Sequence, residues 1–159
     1  EQARRSHEPV CLLLGDLDHF KQVNDRLGHA AGDTVLQTIA KIWKTVLPEQ
    51  AIVARYGGEE FAAVLPSTSL RSAGEIAEDL RRTIEQLGVS HRGEVISTTS
   101  SFGLAEFLSP ATSPGELIEQ ADAAMYNAKE QGRNRVVLAV STPSSKLSGQ
   151  SEFLVHGSI

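Results

Sequence analysis

Ile52-Val53-Ala54-Arg55-Tyr56-Gly57-Gly58-Glu59-Glu60-Phe61-Ala62-Ala63-Val64-Leu65 is the stretch that decides the fold. Two short apolar-rich runs, Ile52 to Tyr56 and Glu60 to Leu65, are joined around Gly57-Gly58, the chemistry of a tight β-hairpin turn. Glu59 then stands at or beside a hairpin tip. Upstream, Val10 to Leu17 (VCLLLGDL) is an apolar stretch ending in acids and bounded by Pro9, which predicts a central buried strand. Between the two, Thr34 to Leu47 places Val35, Leu36, Ile39, Ile42, Trp43 and Val46 at helical spacing, with Asp33 as N-cap and Pro48 past the end. A short helix ending at Gly28 precedes it. Downstream, Leu70 to Leu87 repeats apolar residues at Ala73, Ile76, Ala77, Leu80, Ile84 and Leu87 and predicts a second long helix. Val95 to Phe107 reads as one strand with Gly103 as a bulge. Pro114 opens a helix over Gly115 to Gln131, and Arg135 to Val140 closes the order as a last strand. The sequence of β, helix pair, β-hairpin, helix, β, helix, β predicts an α+β fold in which helices cover a largely antiparallel sheet.

Composition narrows the function. The 159 residues suit one domain, with 40% apolar and 22% charged residues. The longest apolar run, Val10 to Leu14, is too short to cross a bilayer. The single cysteine, Cys11, excludes disulfide scaffolds and cysteine-based zinc sites and suits a cytoplasmic setting. Fifteen Lys+Arg against twenty Asp+Glu, a net charge of -5, argue against nucleic acid as a partner. A phosphate ligand must then be held locally, with a metal. No G-x-x-x-x-G-K-[ST] occurs, so a P-loop NTPase is rejected. Ser141 to Ile159 carries six serines and a proline, a linker-like tail, and the first residue, Glu1, suggests a piece of a longer polypeptide.

Asp16 and Asp18 lie at the exit of the buried strand, and Glu59-Glu60 follow the glycine turn of a hairpin expected to pair beside it. Four converging carboxylates are costly without a cation, and hard oxygen ligands suit Mg²⁺. Acids at a sheet edge fit two-metal nucleotidyl transfer. The competing reading for Asp16 and Asp18 is that strand-end acids are merely solvated, and for Gly57-Gly58 an ordinary turn.

These residues fall in a longer ordered series: Asp16-Leu17-Asp18-His19-Phe20-Lys21, Asn24-Asp25, Gly28-His29, Gly32-Asp33, Arg55-Tyr56-Gly57-Gly58-Glu59-Glu60-Phe61, Ala121-Asp122, Tyr126, Ala128-Lys129 and Gly132-Arg133-Asn134. The series resembles the GGDEF domain of bacterial diguanylate cyclases, in its GGEEF variant, from about Val10 to Val140. The resemblance implies a palm-like antiparallel sheet flanked by helices, similar to adenylate cyclase catalytic domains. It also implies condensation of two GTP into cyclic di-GMP with release of two pyrophosphates. By position, Asp16, Glu59 and the Leu17 carbonyl would ligate Mg²⁺, with two ions expected, Mn²⁺ as a substitute and Glu60 as a nearby acid. Glu59 would help the ribose 3′-OH lose its proton. Gly57 and Gly58 match the turn over which GTP lies, and Asn24 and Asp33 match guanine contacts. His29 either lines that pocket or caps the short helix. Lys21, Lys129 and Arg133 match cations around the triphosphate. Phe20 matches a substrate-side position, although its residue type, like that of Trp43, Phe61 and Met125, equally suits a core.

Residues 1–140 would form the domain and 141–159 a tail, with a preceding helix and its Asp-x-Leu-Thr-Gly-Leu-x-Asn-Arg motif missing. Pro48-Glu49-Gln50-Ala51 stand where many members carry an inhibitory Arg-x-x-Asp, so that product site is expected to be absent and cyclic di-GMP to bind at the active site. The implied partners are GTP, a transient second copy, and an upstream sensory domain in a parent protein that can be membrane-anchored. The alternative is a catalytically idle module that binds GTP or cyclic di-GMP.

Overall fold

The computed structural model describes residues 8–107 and 113–139. The order is β1 (Val10–Leu17), α1 (Phe20–Leu27), α2 (His29–Val46), β2 (Ile52–Arg55), β3 (Glu60–Leu65), α3 (Leu70–Gln86), β4 (Gly88–His91), β5 (Glu94–Ser97), β6 (Ser100–Phe107), α4 (Pro114–Glu130) and β7 (Val136–Leu138). Five strands form one sheet in the order β2-β3-β1-β6-β7. β1 sits at its centre, antiparallel to β3 and β6, and only β6 and β7 run parallel. The fold is α+β, as the pattern predicted, with four helices flanking a mostly antiparallel sheet.

The period-two alternation of β1 divides the core. Cys11 and Leu13 face α2 and α3, where Val35, Ile39, Trp43, Ala77, Leu80 and Ile84 are buried with Phe61, Phe102 and Leu104. Trp43 stacks on Phe61 with ring centroids 5.5 Å apart and tilts against Phe102 at 6.0 Å. Leu12 and Leu14 face the other way, onto Ala121 and Met125 of α4. Asp16 follows them in phase, which turns it toward α4.

Four expectations change. Asp33 is not an N-cap: α2 begins at His29 after Gly28, whose φ of 83° only glycine adopts without strain, and Asp33 lies inside the helix. Gly103 is not a bulge, because the β1–β6 register runs unbroken through it. It is glycine because α4 lies against it, where a Cβ would come within 2.1 Å of the Ala121 carbonyl and 2.2 Å of the Met125 nitrogen. The strand expected over Val95 to Phe107 is two strands. Thr98-Thr99 leave the sheet between them, and β5 pairs with β4 in a separate hairpin about Arg92-Gly93. Both turn residues have positive φ, 48° and 86°, as that hairpin turn requires. Finally, the connection between β2 and β3 spans Tyr56 to Glu59 and is longer than a two-residue turn. The last strand covers Val136–Leu138, and Val140 and the Ser-rich tail lie outside the described residues.

Candidate active site

The end of β1 meets the β2–β3 connection. Asp16 is in register with Glu60 on β3, and the Leu17 amide donates to the Glu59 carbonyl at 3.3 Å, which fixes Glu59 beside the Asp16-Leu17 step. From the opposite side, Lys129 in the last turn of α4 places its Nζ 3.0 Å from Asp16 Oδ2. Burial lifts the Asp16 carboxyl above its ordinary 3.8, outweighing the hydrogen bond and charge of Lys129 that pull it down. Burial also lifts Glu59 above 4.5, and the Asp16 charge adds to it. Both acids resist ionising, Asp16 through burial with the Asp18 charge beside it and Glu59 through burial with the Asp16 charge beside it, the electrostatic setting that a bound cation relieves.

The expected convergence of four carboxylates is not what forms. Asp18, 5% exposed, accepts from Thr99 Oγ1 and Ser101 Oγ, both at 2.7 Å, and from the Asn134 amide at 3.1 Å, while its charge still reaches Asp16 and helps to raise that carboxyl. One residue past the strand, it belongs to the structure behind the site. Glu60 folds its Oε2 against Gly57. Among the described residues no group of three or more Asp, Glu, His or Cys side chains is gathered around a metal position. The donor set still fits Mg²⁺, a hard cation that commonly takes one or two carboxylates and fills its other positions with water and substrate phosphate oxygens.

The glycine turn carries a second signal. Arg55 Nε donates to the Gly57 and Gly58 carbonyls at 3.2 and 3.1 Å, tying the turn back to β2. A Cβ on Gly58 would meet nothing within 4 Å, and its φ lies outside the left-handed region. Neither packing nor backbone demands glycine at Gly58.

Asn24 sits on α1 and Asp33 on α2, and the contact across the α1–α2 corner is made at Gly32. The Asn24 side chain nests against Gly32, where a Cβ would fall 2.0 Å from its Oδ1. Asp33, next in sequence, is exposed and lines an open cavity of about 350 Å³ between α2 and the β2–β3 hairpin, together with Leu36, Gln37, Arg55 and Phe61. His29, the first residue of α2, makes no side-chain cap and is exposed, as is Lys21 on α1. Phe20 is 5% exposed and packs in the core. Arg133, in a turn after α4, is exposed and close enough to Asp16 for its charge to act on that carboxyl.

The residues to which the sequence assigned no role are the supports, Thr99 and Ser101 outside the motif series and Arg55 and Asn134 within it. Their supporting contacts carry no local signal, because the partners are distant in sequence or are backbone carbonyls.

A mostly antiparallel sheet flanked by helices, with an acid pair at the end of its central strand, a glycine turn beside it and a helix-borne lysine against one of the acids, makes up a palm-like α+β fold. The chain belongs to the GGDEF family: the signature of the diguanylate cyclase GGDEF domain matches residues 1–135. It is 41% identical over 132 residues to diguanylate cyclase A of Treponema denticola and 44% identical over 133 residues to diguanylate cyclase VdcA of Vibrio cholerae. Those matches cover 83% and 82% of this chain but only 36% and 39% of the relatives, which are larger proteins. Among solved structures, the GGDEF domain of DgcB from Caulobacter crescentus in complex with c-di-GMP superposes with a TM-score of 0.83 at 36% identity, covering 88% of this chain and 83% of that one. The active GGEEF domain of a diguanylate cyclase from Vibrio cholerae gives 0.82 at 30% identity, with 89% of each chain covered. No helix among the described residues is long and apolar enough to cross a membrane.

Proposed function

We propose that this domain, in the Glu59-Glu60 form of the family motif, condenses two GTP molecules into cyclic di-GMP and two pyrophosphates. The observation that carries the reading is the Asp16–Glu59 pair, closed by Lys129 and lying beside a glycine at Gly58 that the protein's own packing does not require. Asp16, Glu59 and the Leu17 carbonyl would hold Mg²⁺, with Mn²⁺ able to replace it. When bound, the metal would supply positive charge to the α-phosphate and to the attacking oxygen.

The chain's own groups do the rest. Asn24 and Asp33 hold the base, since a carboxylate accepts from both the N1–H and the exocyclic amine of guanine, a donor pair that adenine lacks. The Gly57-Gly58 turn leaves room for the ribose and phosphates. Lys129 exchanges its contact with Asp16 for the incoming phosphates, and Arg133 and Lys21 add charge on the transferring and leaving groups. Glu59, whose carboxyl is raised by burial, accepts the proton of the 3′-hydroxyl.

Each copy has one base pocket and one acid pair, whereas the product has two equivalent guanosines. Two copies about a two-fold axis would set each 3′-hydroxyl against the other's α-phosphate. The setting is the cytoplasm, where GTP is available, with partner domains in the longer protein. In the absence of an Arg-x-x-Asp at Pro48–Ala51, product would return to the GTP site.

Incubation with GTP and Mg²⁺, with product separation, tests this. Cyclic di-GMP should form, ATP should give no product, and specific activity should rise with protein concentration. Tight GTP binding with no product would instead establish an idle nucleotide-binding module.

A further inference from the structure

Three consecutive residues after α4, Gly132, Arg133 and Asn134, have left-handed backbones, with φ of 112°, 64° and 45°. The first is a glycine; the other two are L-residues in a conformation they rarely adopt. The turn is held from both ends. The Gly132 amide donates to the Lys129 carbonyl at 3.3 Å and the Arg133 amide to the Ala128 carbonyl at 3.0 Å, so the turn winds directly off the helix that carries Lys129. The Asn134 amide donates to Asp18, and the Arg135 carbonyl accepts from Phe102 at 2.9 Å.

The Asn134 side chain is gripped as well. Its Oδ1 accepts from Arg81 Nη1 at 2.7 Å, and its Nδ2 donates to Glu85 Oε1 at 2.6 Å. Arg81, itself only 13% exposed at its side chain, is in turn bonded to Glu78 and Glu85 on the same helix, α3. Both halves of the carboxamide are therefore used, in an orientation fixed by one donor and one acceptor. All of these groups converge on Asn134, the residue that follows Arg133.

We propose that Asn134, held by Arg81 and Glu85 and by the buried Asp18, is a positioning residue that sets the direction of Arg133 toward the phosphate end of the substrate site. This rests on the reading of Arg133 as a phosphate-binding cation. A long exposed side chain gains affinity for an anion only if its backbone anchor is already in place, because otherwise binding has to order the turn as well. The left-handed turn is maintained for that anchor, and the α3 clasp maintains the turn.

The test compares two probes on the whole 159-residue chain: a non-hydrolysable GTP analogue with Mg²⁺, and GMP, which keeps the base and lacks the β- and γ-phosphates. Asn134→Gly preserves the left-handed backbone but removes the clasp. Its affinity for the analogue should fall about 10-fold, by the cost of ordering one long side chain and its turn, with GMP affinity unchanged. The KM for GTP should rise more than kcat falls. Asn134→Asp keeps the acceptor for Arg81 but sets a carboxylate against Glu85, and should lose analogue affinity similarly. Asn134→Asp combined with Glu85→Gln restores one donor and one acceptor with their polarity exchanged and should recover most of the loss.

Equal loss for both probes in Asn134→Gly would mark a merely structural residue and overturn the proposal, as would no loss for either. Failure of the double variant to recover, with its thermal stability intact, would also overturn it. Unchanged protein that binds the analogue no better than GMP would remove the phosphate role of Arg133 itself, a failure of the underlying reading that is visible before any variant is made.

Discussion

Lys129 Nζ lies 3.0 Å from Asp16 Oδ2, so a cation from the last turn of α4 already neutralises the acid at the end of β1. The contact spans two elements that meet only because Gly103 lets α4 press onto the sheet. Burial nevertheless keeps the Asp16 carboxyl above its ordinary value, so its ionised form is a cost to the fold at neutral pH.

Asp16→Asn should therefore separate stability from activity. The neutral isostere removes a charge that burial opposes, and Lys129, 29% exposed, can turn to water. The melting temperature should hold or rise, while cyclic di-GMP formation falls by about 100-fold or more, as when a group that stabilises transition-state charge is removed. Parallel thermal melts and product assays decide it; a stability loss matching the activity loss would count against the metal role.

Asp33→Ala should cost binding and spare the fold. Asp33 stands inside α2 and caps nothing, so alanine, the better helix former, should leave stability unchanged or raise it by about 0.5 kcal/mol. Loss of a charged hydrogen-bond acceptor for guanine should weaken a non-hydrolysable GTP analogue by roughly 10- to 100-fold. Calorimetric titration beside thermal melts checks both halves.

Two glycines should respond in opposite ways. Gly103→Ala forces a methyl into α4 backbone and should cost on the order of 1–3 kcal/mol, read as a lowered denaturation midpoint. Gly58→Ala points its methyl into open space and should unfold at the same midpoint as the unchanged protein, while losing most GTP-analogue affinity.

Acid should loosen the α3 clasp. Hydrogen bonds from Arg81 hold both the Glu78 and Glu85 carboxyls below the ordinary 4.5. A depressed acid contributes stability above its unfolded value and loses it as pH falls through its folded value. Thermal stability should thus decline below about pH 4.5, and Arg81→Met should flatten the decline in that window relative to the unchanged protein.

Much of this protein was legible in one dimension. The alternation of Val10–Leu17, the helical spacing of Leu70–Gln86 and the glycine-centred hairpin depend on neighbours within one element, and the element order followed from them. Asp16, Glu59, Lys129 and Arg133, the residues on which the proposed function rests, were legible as members of a spaced series.

What the sequence could not decide was which partner each polar group would take. Asp18 has the same residue type as Asp16, two positions away, yet Thr99, Ser101 and Asn134 claim it from more than 80 residues along the chain. The start of α2 at His29 and the β4–β5 hairpin likewise escaped notice: Ala30 to Asp33 show little apolar periodicity, and β4 and β5 bury only Val89 and Ile96. The sequence alone determined that the main-sheet strands and the helices exist, though not the start of α2 or the β4–β5 hairpin, and it placed the acids at the end of β1, because local periodicity and turn chemistry act between near neighbours. The tertiary structure alone decided that Asp16 would face Lys129 and that Asp18 would anchor the turn of Arg133. Strand register and helix packing choose among chemically identical carboxylates, and no residue's own neighbours encode that choice.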